Sequence, residues 1–209
     1  MLDHERSWWS RGVRTIAGID EAGRGPLAGP VVAAALTVAP ELGEELFAGP
    51  WRALTDSKRL TDKARRAFFI SMHETEGVLF GLGRCEPDEI DSLNILRATH
   101  LAMARALDAL PVRPDRALVD GLPVKGLYIE HEAIVGGDGK SLLIAAASVL
   151  AKVTRDDEMI ALDRDHPGYG FARHKGYGTR EHMDALARLG PCPAHRQSFD
   201  PVRQLGLGL

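Results

Sequence analysis

The chain has 209 residues, 44% hydrophobic and 26% charged, with a formal net charge of −3. That suits one α/β domain; no apolar run approaches the roughly 18 residues of a membrane span, and no apolar stretch of a secretory signal follows the start. The slight acidity does not exclude a nucleic-acid partner, because a basic face can coexist with an acidic total.

In chain order, Arg14–Asp20 and Pro30–Val38 are apolar and β-branched and flank a glycine-rich turn, GRGPLAG. They predict two strands, the second well buried. Trp8 and Trp9 before them predict a partly exposed cover. Leu54–Leu60 is polar and turn-like, and Thr61 predicts an N-cap for an amphipathic helix to about His73. Gly77–Arg84 predicts a third strand, Pro87 opens a short helix, and Ser92–Leu110 carries apolar residues at helical spacing, closed by Pro111 and Pro114. Ala117–Asp120 is a short buried strand ending on an acid; Leu127–Ile134 predicts another, followed by the turn Gly136–Gly139. Lys140–Arg164 starts as an apolar, Ala-rich helix and becomes charged, and Thr179–Leu189 predicts a last helix stopped by Gly190-Pro191. Without repeats or long linkers, this order predicts a single domain, residues 1–209 with a core of about 14–201, built on a mixed sheet flanked by helices. Cys85 and Cys192 lie outside any CxxC spacing and are expected as free thiols of a cytoplasmic protein.

Four acids sit at strand ends or in the turn beside one: Asp20, Glu21, Asp120 and Asp138. Any one alone is an ordinary solvated cap. Gathered at one sheet edge, they would need cations to offset their repulsion. Oxygen ligands without a His/Cys cluster favour Mg²⁺ or Mn²⁺ over zinc. Two such ions about 3.5–4 Å apart can promote phosphodiester hydrolysis. One difficulty is that adjacent strand residues point to opposite faces, so Asp20 and Glu21 share a centre only if the strand turns there. Two phosphate-loop readings fall away. Gly23-x-Gly25-x-x-Ala28 matches a dinucleotide fingerprint in letters, but a strand follows it instead of a helix. Gly139-Lys140-Ser141 lacks the upstream glycine of a P-loop, since Ile134 stands there. His195 is expected to be packed, not catalytic.

The segments GIDEAGRGPLAGPVVAAA, Asp56-Ser-Lys58, ALVDG, GGDGKSLLIAAASVLAKVTRD, KGYGT and AHRQSF, in that order from about Ile16 to Pro201, resemble the ribonuclease HII family. The resemblance implies a ribonuclease H-like fold with a mixed central sheet and a small C-terminal helical portion. It also implies endonucleolytic cleavage of RNA in RNA–DNA hybrids and incision 5′ of single ribonucleotides in duplex DNA. Hydrolysis with two ions of Mg²⁺ or Mn²⁺ would leave a 3′-hydroxyl and a 5′-phosphate. On this resemblance Asp20, Glu21, Asp120 and Asp138 are the catalytic metal ligands. Gly23, Arg24 and Gly25 form the loop that contacts the 2′-hydroxyl and scissile phosphate, a hydroxyl that separates RNA from DNA. Tyr177 stacks on the next sugar, and Lys58, Lys152 and Arg155 face the phosphate backbone.

The chain departs from the family pattern after Asp120, where Gly121-Leu122 replaces the common Gly-Asn. Arg24 and the short N-terminal region set it apart from ribonuclease HIII. A monomer is expected, with Gln204–Leu209 resembling a sliding-clamp peptide. The competing classes are a resolvase- or transposase-like DNA nuclease of the same superfamily and a non-catalytic nucleic-acid-binding module.

Overall fold

The computed structural model describes residues 1–206; residues 207–209, half of the expected clamp peptide, lie outside them. Strands β1 (Ile16–Ala22), β2 (Val31–Thr37), β3 (Leu79–Cys85), β4 (Arg116–Asp120) and β5 (His131–Ile134) form one sheet in the order β3-β2-β1-β4-β5. β1, β2 and β3 pair antiparallel through the short 23–30 loop and a longer excursion, whereas β4 and β5 join β1 in parallel. The sheet is therefore mixed, as expected. The helices are α1 (Asp3–Trp9), α2 (Pro40–Ala48), α3 (Asp62–Glu74), α4 (Pro87–Leu93), α5 (Ile95–Asp108), α6 (Leu142–Asp165), α7 (Phe171–His174), α8 (Arg180–Leu189) and α9 (Val202–Gly206).

Side-chain alternation along β1 divides the core. Ile16 joins Leu118 and α6 on one face; Ala17 and Ile19 join Ala117, Val119 and α5 on the other. All seven residues of β2 are buried, because helices cover both of its faces. Glycines bring the helices close. A Cβ on Gly18 would lie 2.2 Å from the Leu143 backbone carbon, and one on Gly83 would lie 2.2 Å from the Ala102 carbonyl oxygen.

Capping sets several helix ends. Thr61, Ser141 and Thr179 accept from the N–H groups of Ala64, Ile144 and His182 respectively. Asn94, with φ +70°, separates α4 from α5 and caps the latter, so the run expected from Ser92 is broken there. β1 extends two residues beyond the expected Asp20, and the strand expected over Leu127–Ile134 shortens to His131–Ile134. Trp8 and Trp9, the expected cover, both lie in α1 and are partly exposed. That helix is anchored by the buried Glu5, whose carboxylate accepts from Ser141 Oγ (2.6 Å) and Leu143 N (3.1 Å) at the start of α6. The second half of α6 runs past the sheet, and Met159 packs with Phe171, Tyr169 and Ala185 to hold the C-terminal helices.

Candidate active site

The alternation that divides the core also places the acids. Asp20 follows Ile16 and Gly18 onto the α6 face, and Asp120 follows Leu118 there. The parallel register pairs Gly18 with Leu118, so two residues further Asp20 and Asp120 stand at the C-terminal ends of neighbouring strands. Glu21 follows Ile19 toward α5 and lines a cavity of about 150 Å³ with Thr99, Met103 and Asp120. Because β1 continues to Ala22, the expected turn does not bring the Asp20 and Glu21 side chains to one face. They flank the strand end from either side.

Asp20 is 5% exposed. Burial, then the charges of Glu21 and Asp120, push its pKa well up, against hydrogen bonds from Ser148 and the Glu21 N–H. Glu21 is also raised, by burial first and by Asp120, and Arg24 opposes this through a 3.2 Å ion pair to Oε1. Its Oε2 is buried without a partner. Asp120 Oδ1 accepts from Gly137 N at 2.6 Å, which ties β4 to the loop carrying Asp138. Burial, with Asp56 and Asp120 nearby, pushes Asp138 up to about 6.

Lys58 stands among these acids. Burial pulls its pKa down, but Asp20, Asp56, Asp138 and Asp120 outweigh this and raise it, so it is a cation at neutral pH. Among the described residues no three acid, His or Cys side chains already meet at ligating distance; Glu21 is turned to Arg24 and Asp120 to a backbone N–H. The set still fits hard divalent cations: oxygen donors only, a desolvated carboxylate among like charges, and a buried carboxylate oxygen without a donor.

The 23–25 loop, Glu21, Lys58, Ser148, Lys152 and Tyr177 surround a cleft of about 230 Å³. Arg24, Gly25 and Tyr177 are exposed, the last at 47%. Lys152 borders the cleft while paired to Asp156 at 2.6 Å.

Arg155 does not face outward as expected. It is 1% exposed, and its guanidinium donates to Pro30 O (2.9 Å), Ala28 O (3.2 Å) and Lys175 O (3.1 Å). It comes from the inner side of α6 at the point where the 23–30 loop crosses, and Gly23 is needed because a Cβ there would lie 1.9 Å from Arg155 Nε.

Three neighbours escaped the sequence reading. Asp56 lies beside Asp138 and helps to raise its pKa, Ser57 Oγ meets Ser148 Oγ at 2.8 Å, and Ser148 reaches Asp20. A lone hydroxyl in the apolar run AAASVLA was a signal for Ser148; the Asp56 contact depends on folding. His195 is buried as expected, within 3.0 Å of His182 Nε2.

A sequence model described as Ribonuclease HII matches residues 17–202. A Desulfitobacterium hafniense (strain Y51) protein named Ribonuclease HII is 50% identical over 204 residues, 98% of this chain and 75% of its own length. One of the same name from Moorella thermoacetica is 52% identical over 195 residues, 93% and 91% of the two chains. Among solved structures, the ribonuclease H2 of Pyrococcus horikoshii OT3 superposes with a TM-score of 0.77 at 26% identity, covering 93% of this chain and 98% of its own.

Proposed function

Since the chain belongs to the ribonuclease HII family, endonucleases that hydrolyse the RNA of RNA–DNA hybrids, we propose that its cleft also incises 5′ of single ribonucleotides in duplex DNA. The observation that carries the site assignment is the placement of Asp20 and Asp120 on one face just beyond the Ile19–Val119 pair of two adjacent parallel strands, beside a cleft lined by the glycine loop and Tyr177.

In this reading Asp20, Glu21, Asp120 and Asp138 hold two divalent cations, Mg²⁺ or Mn²⁺. When bound, these offset the carboxylate repulsion and supply Lewis acidity for hydrolysis to a 3′-hydroxyl and a 5′-phosphate. The chain's own groups select and orient the strand. Arg24 offers a charged donor fork to phosphate, and the glycine on either side lets the backbone approach a sugar closely. The exposed Tyr177 ring packs on the sugar after the ribonucleotide, where a further 2′-hydroxyl would be crowded. Lys58, and Lys152 once released from Asp156, neutralise backbone phosphates. The protein acts as a single-domain monomer in the cytoplasm.

The test is a labelled duplex carrying one ribonucleotide, incubated with Mg²⁺ or Mn²⁺ beside an all-DNA control. One cut at the 5′ side of the ribonucleotide is expected, with the control intact. Cleavage of both would favour a DNA nuclease of the same superfamily, and salt-sensitive binding without turnover a binding module.

A further inference from the structure

The glycine loop is held from below by a residue 172 positions away in sequence. Arg196 is fully buried, and its guanidinium donates to Gly23 O (2.5 Å), Arg24 O (2.9 Å) and Gly29 O (3.0 Å from Nε and 2.9 Å from Nη2). Arg155 takes the carbonyls of Ala28 and Pro30 beside it. Two guanidinium groups thus bind five carbonyls of an eight-residue loop. Neither is hydrogen-bonded to a carboxylate among the described residues. The acid that faces Arg196, Asp91, spends its oxygens on Gln197 N, Ser198 N and Ser198 Oγ at 2.8, 2.8 and 2.6 Å, which fixes the segment that carries Arg196.

A trans peptide holds C=O of one residue antiparallel to N–H of the next. With the Gly23 and Arg24 carbonyls drawn down to Arg196, the N–H groups of Arg24 and Gly25 point the other way, to the side on which these two residues are exposed. Neither N–H donates to another group among the described residues. Successive outward N–H groups form an anion-binding concavity, here with a buried positive charge behind it.

We propose that Arg196 is a positioning residue for the reaction: by binding the Gly23 and Arg24 carbonyls it presents the Arg24 and Gly25 N–H groups as a preset donor pair for an oxygen of the nucleic-acid strand at the scissile position. The proposal rests on the ribonuclease reading of the cleft. Arginine reaches these carbonyls from three separate nitrogens of one rigid plane, whereas a lysine has to direct its three donors from a single nitrogen at the end of a flexible stem. Keeping that charge in place is costly. Burial, and then the nearby Arg155 charge, lower the Arg196 pKa to about 9, which argues for a role beyond packing, where an apolar side chain would serve.

The test compares wild type, Arg196→Lys and Arg196→Ala as full chains on the duplex with one ribonucleotide. Wild-type cleavage validates the substrate; its failure would remove the ribonuclease reading without touching the loop geometry. Arg196→Ala is expected to lose about a hundredfold in kcat with KM within about threefold of wild type, the pattern of a contact made in the transition state. Added guanidinium ion is expected to restore at least tenfold of that loss, whereas urea at equal concentration restores none. Arg196→Lys is expected to fall between. An Arg196→Ala enzyme within threefold of wild type in kcat, or one that guanidinium leaves unimproved, overturns the proposal. Should Arg196→Ala not fold, hydrogen–deuterium exchange of Arg196→Lys decides. Faster exchange confined to residues 22–30 supports the clamp, and unchanged or globally raised exchange refutes it. That measurement stands even if no substrate is cut.

Discussion

Asp20 illustrates how one side chain carries opposite demands. Its carboxylate is buried beside Glu21 and Asp120, an arrangement that raises its pKa and weakens the metal-free fold. Replacing it with Asn removes the charge and keeps the shape. We expect Asp20→Asn to melt at or above the wild-type temperature without metal, while hybrid cleavage falls more than about a hundredfold, since even outer partners of metal ligands cost about 10–100-fold. A variant that keeps its activity, or that melts well below wild type, would contradict the assignment. The acids were legible in sequence because each stands at the end of an apolar strand or in the turn beside one. The face each one takes was not, since it depends on how far β1 runs before it ends. Arg155 was misplaced for a related reason. An arginine on a helix that turns charged looks solvated until the loop that crosses it is known, and Arg196, far off in sequence, gave no local sign of the same loop.

At the scale of elements, helix-to-sheet distance is set by what lies between them. Gly18 lets the first turns of α6 rest on β1, which puts Ser148 within reach of Asp20 two residues on. Gly18→Ala has no flexible side-chain end to displace: its Cβ would meet the Leu143 backbone carbon at 2.2 Å and the Ile144 N and Leu143 Cβ at 2.5 Å. We expect it to cost at least about 2 kcal/mol in denaturant unfolding and to reduce activity through the displaced helix. A stability within 0.5 kcal/mol, the scatter usual for innocuous surface changes, would show that α6 can back away freely. Element types were mostly legible from periodicity and caps: Thr61 and Thr179 mark their helices and β2 its burial. The weak points were physical. α2 starts at Pro40 with no side-chain cap to announce it, and Asn94 breaks an unbroken apolar pattern through a backbone conformation that the pattern does not encode.

For the molecule as a whole, the C-terminal helices are joined by a chain of neutral imidazoles. His195 Nδ1 accepts from Cys192 N at 3.0 Å and its Nε2 faces His182 Nε2, whose Nδ1 donates to the Tyr177 carbonyl at 2.9 Å. Burial, then His182, lowers the His195 pKa to about 4, and burial also lowers His182. His195 thus stays neutral in the folded state while the unfolded chain binds a proton, so its contribution to stability rises with pH between about 4 and 6.5 and is lost as pH falls through that window. Urea unfolding from pH 6.5 to 4.5 should show a slope for wild type that is shallower in His195→Gln, by up to about 1.4 kcal/mol per pH unit. Equal slopes in the two proteins would mean that His195 is protonated in the folded state.

The Glu21–Arg24 pair holds one acid and one base of the cleft out of use together. A ligand that takes either partner frees the other, so ligands of opposite charge bind this cleft with positive cooperativity, and by reciprocity each raises the other's affinity by the same factor. Because Arg24 is half exposed, the internal pair is worth less than about 1 kcal/mol, which limits that factor to a few-fold. The cost of keeping the cleft closed to stray ions alone is therefore small, and under the proposed function it would be recovered when cation and phosphate arrive together.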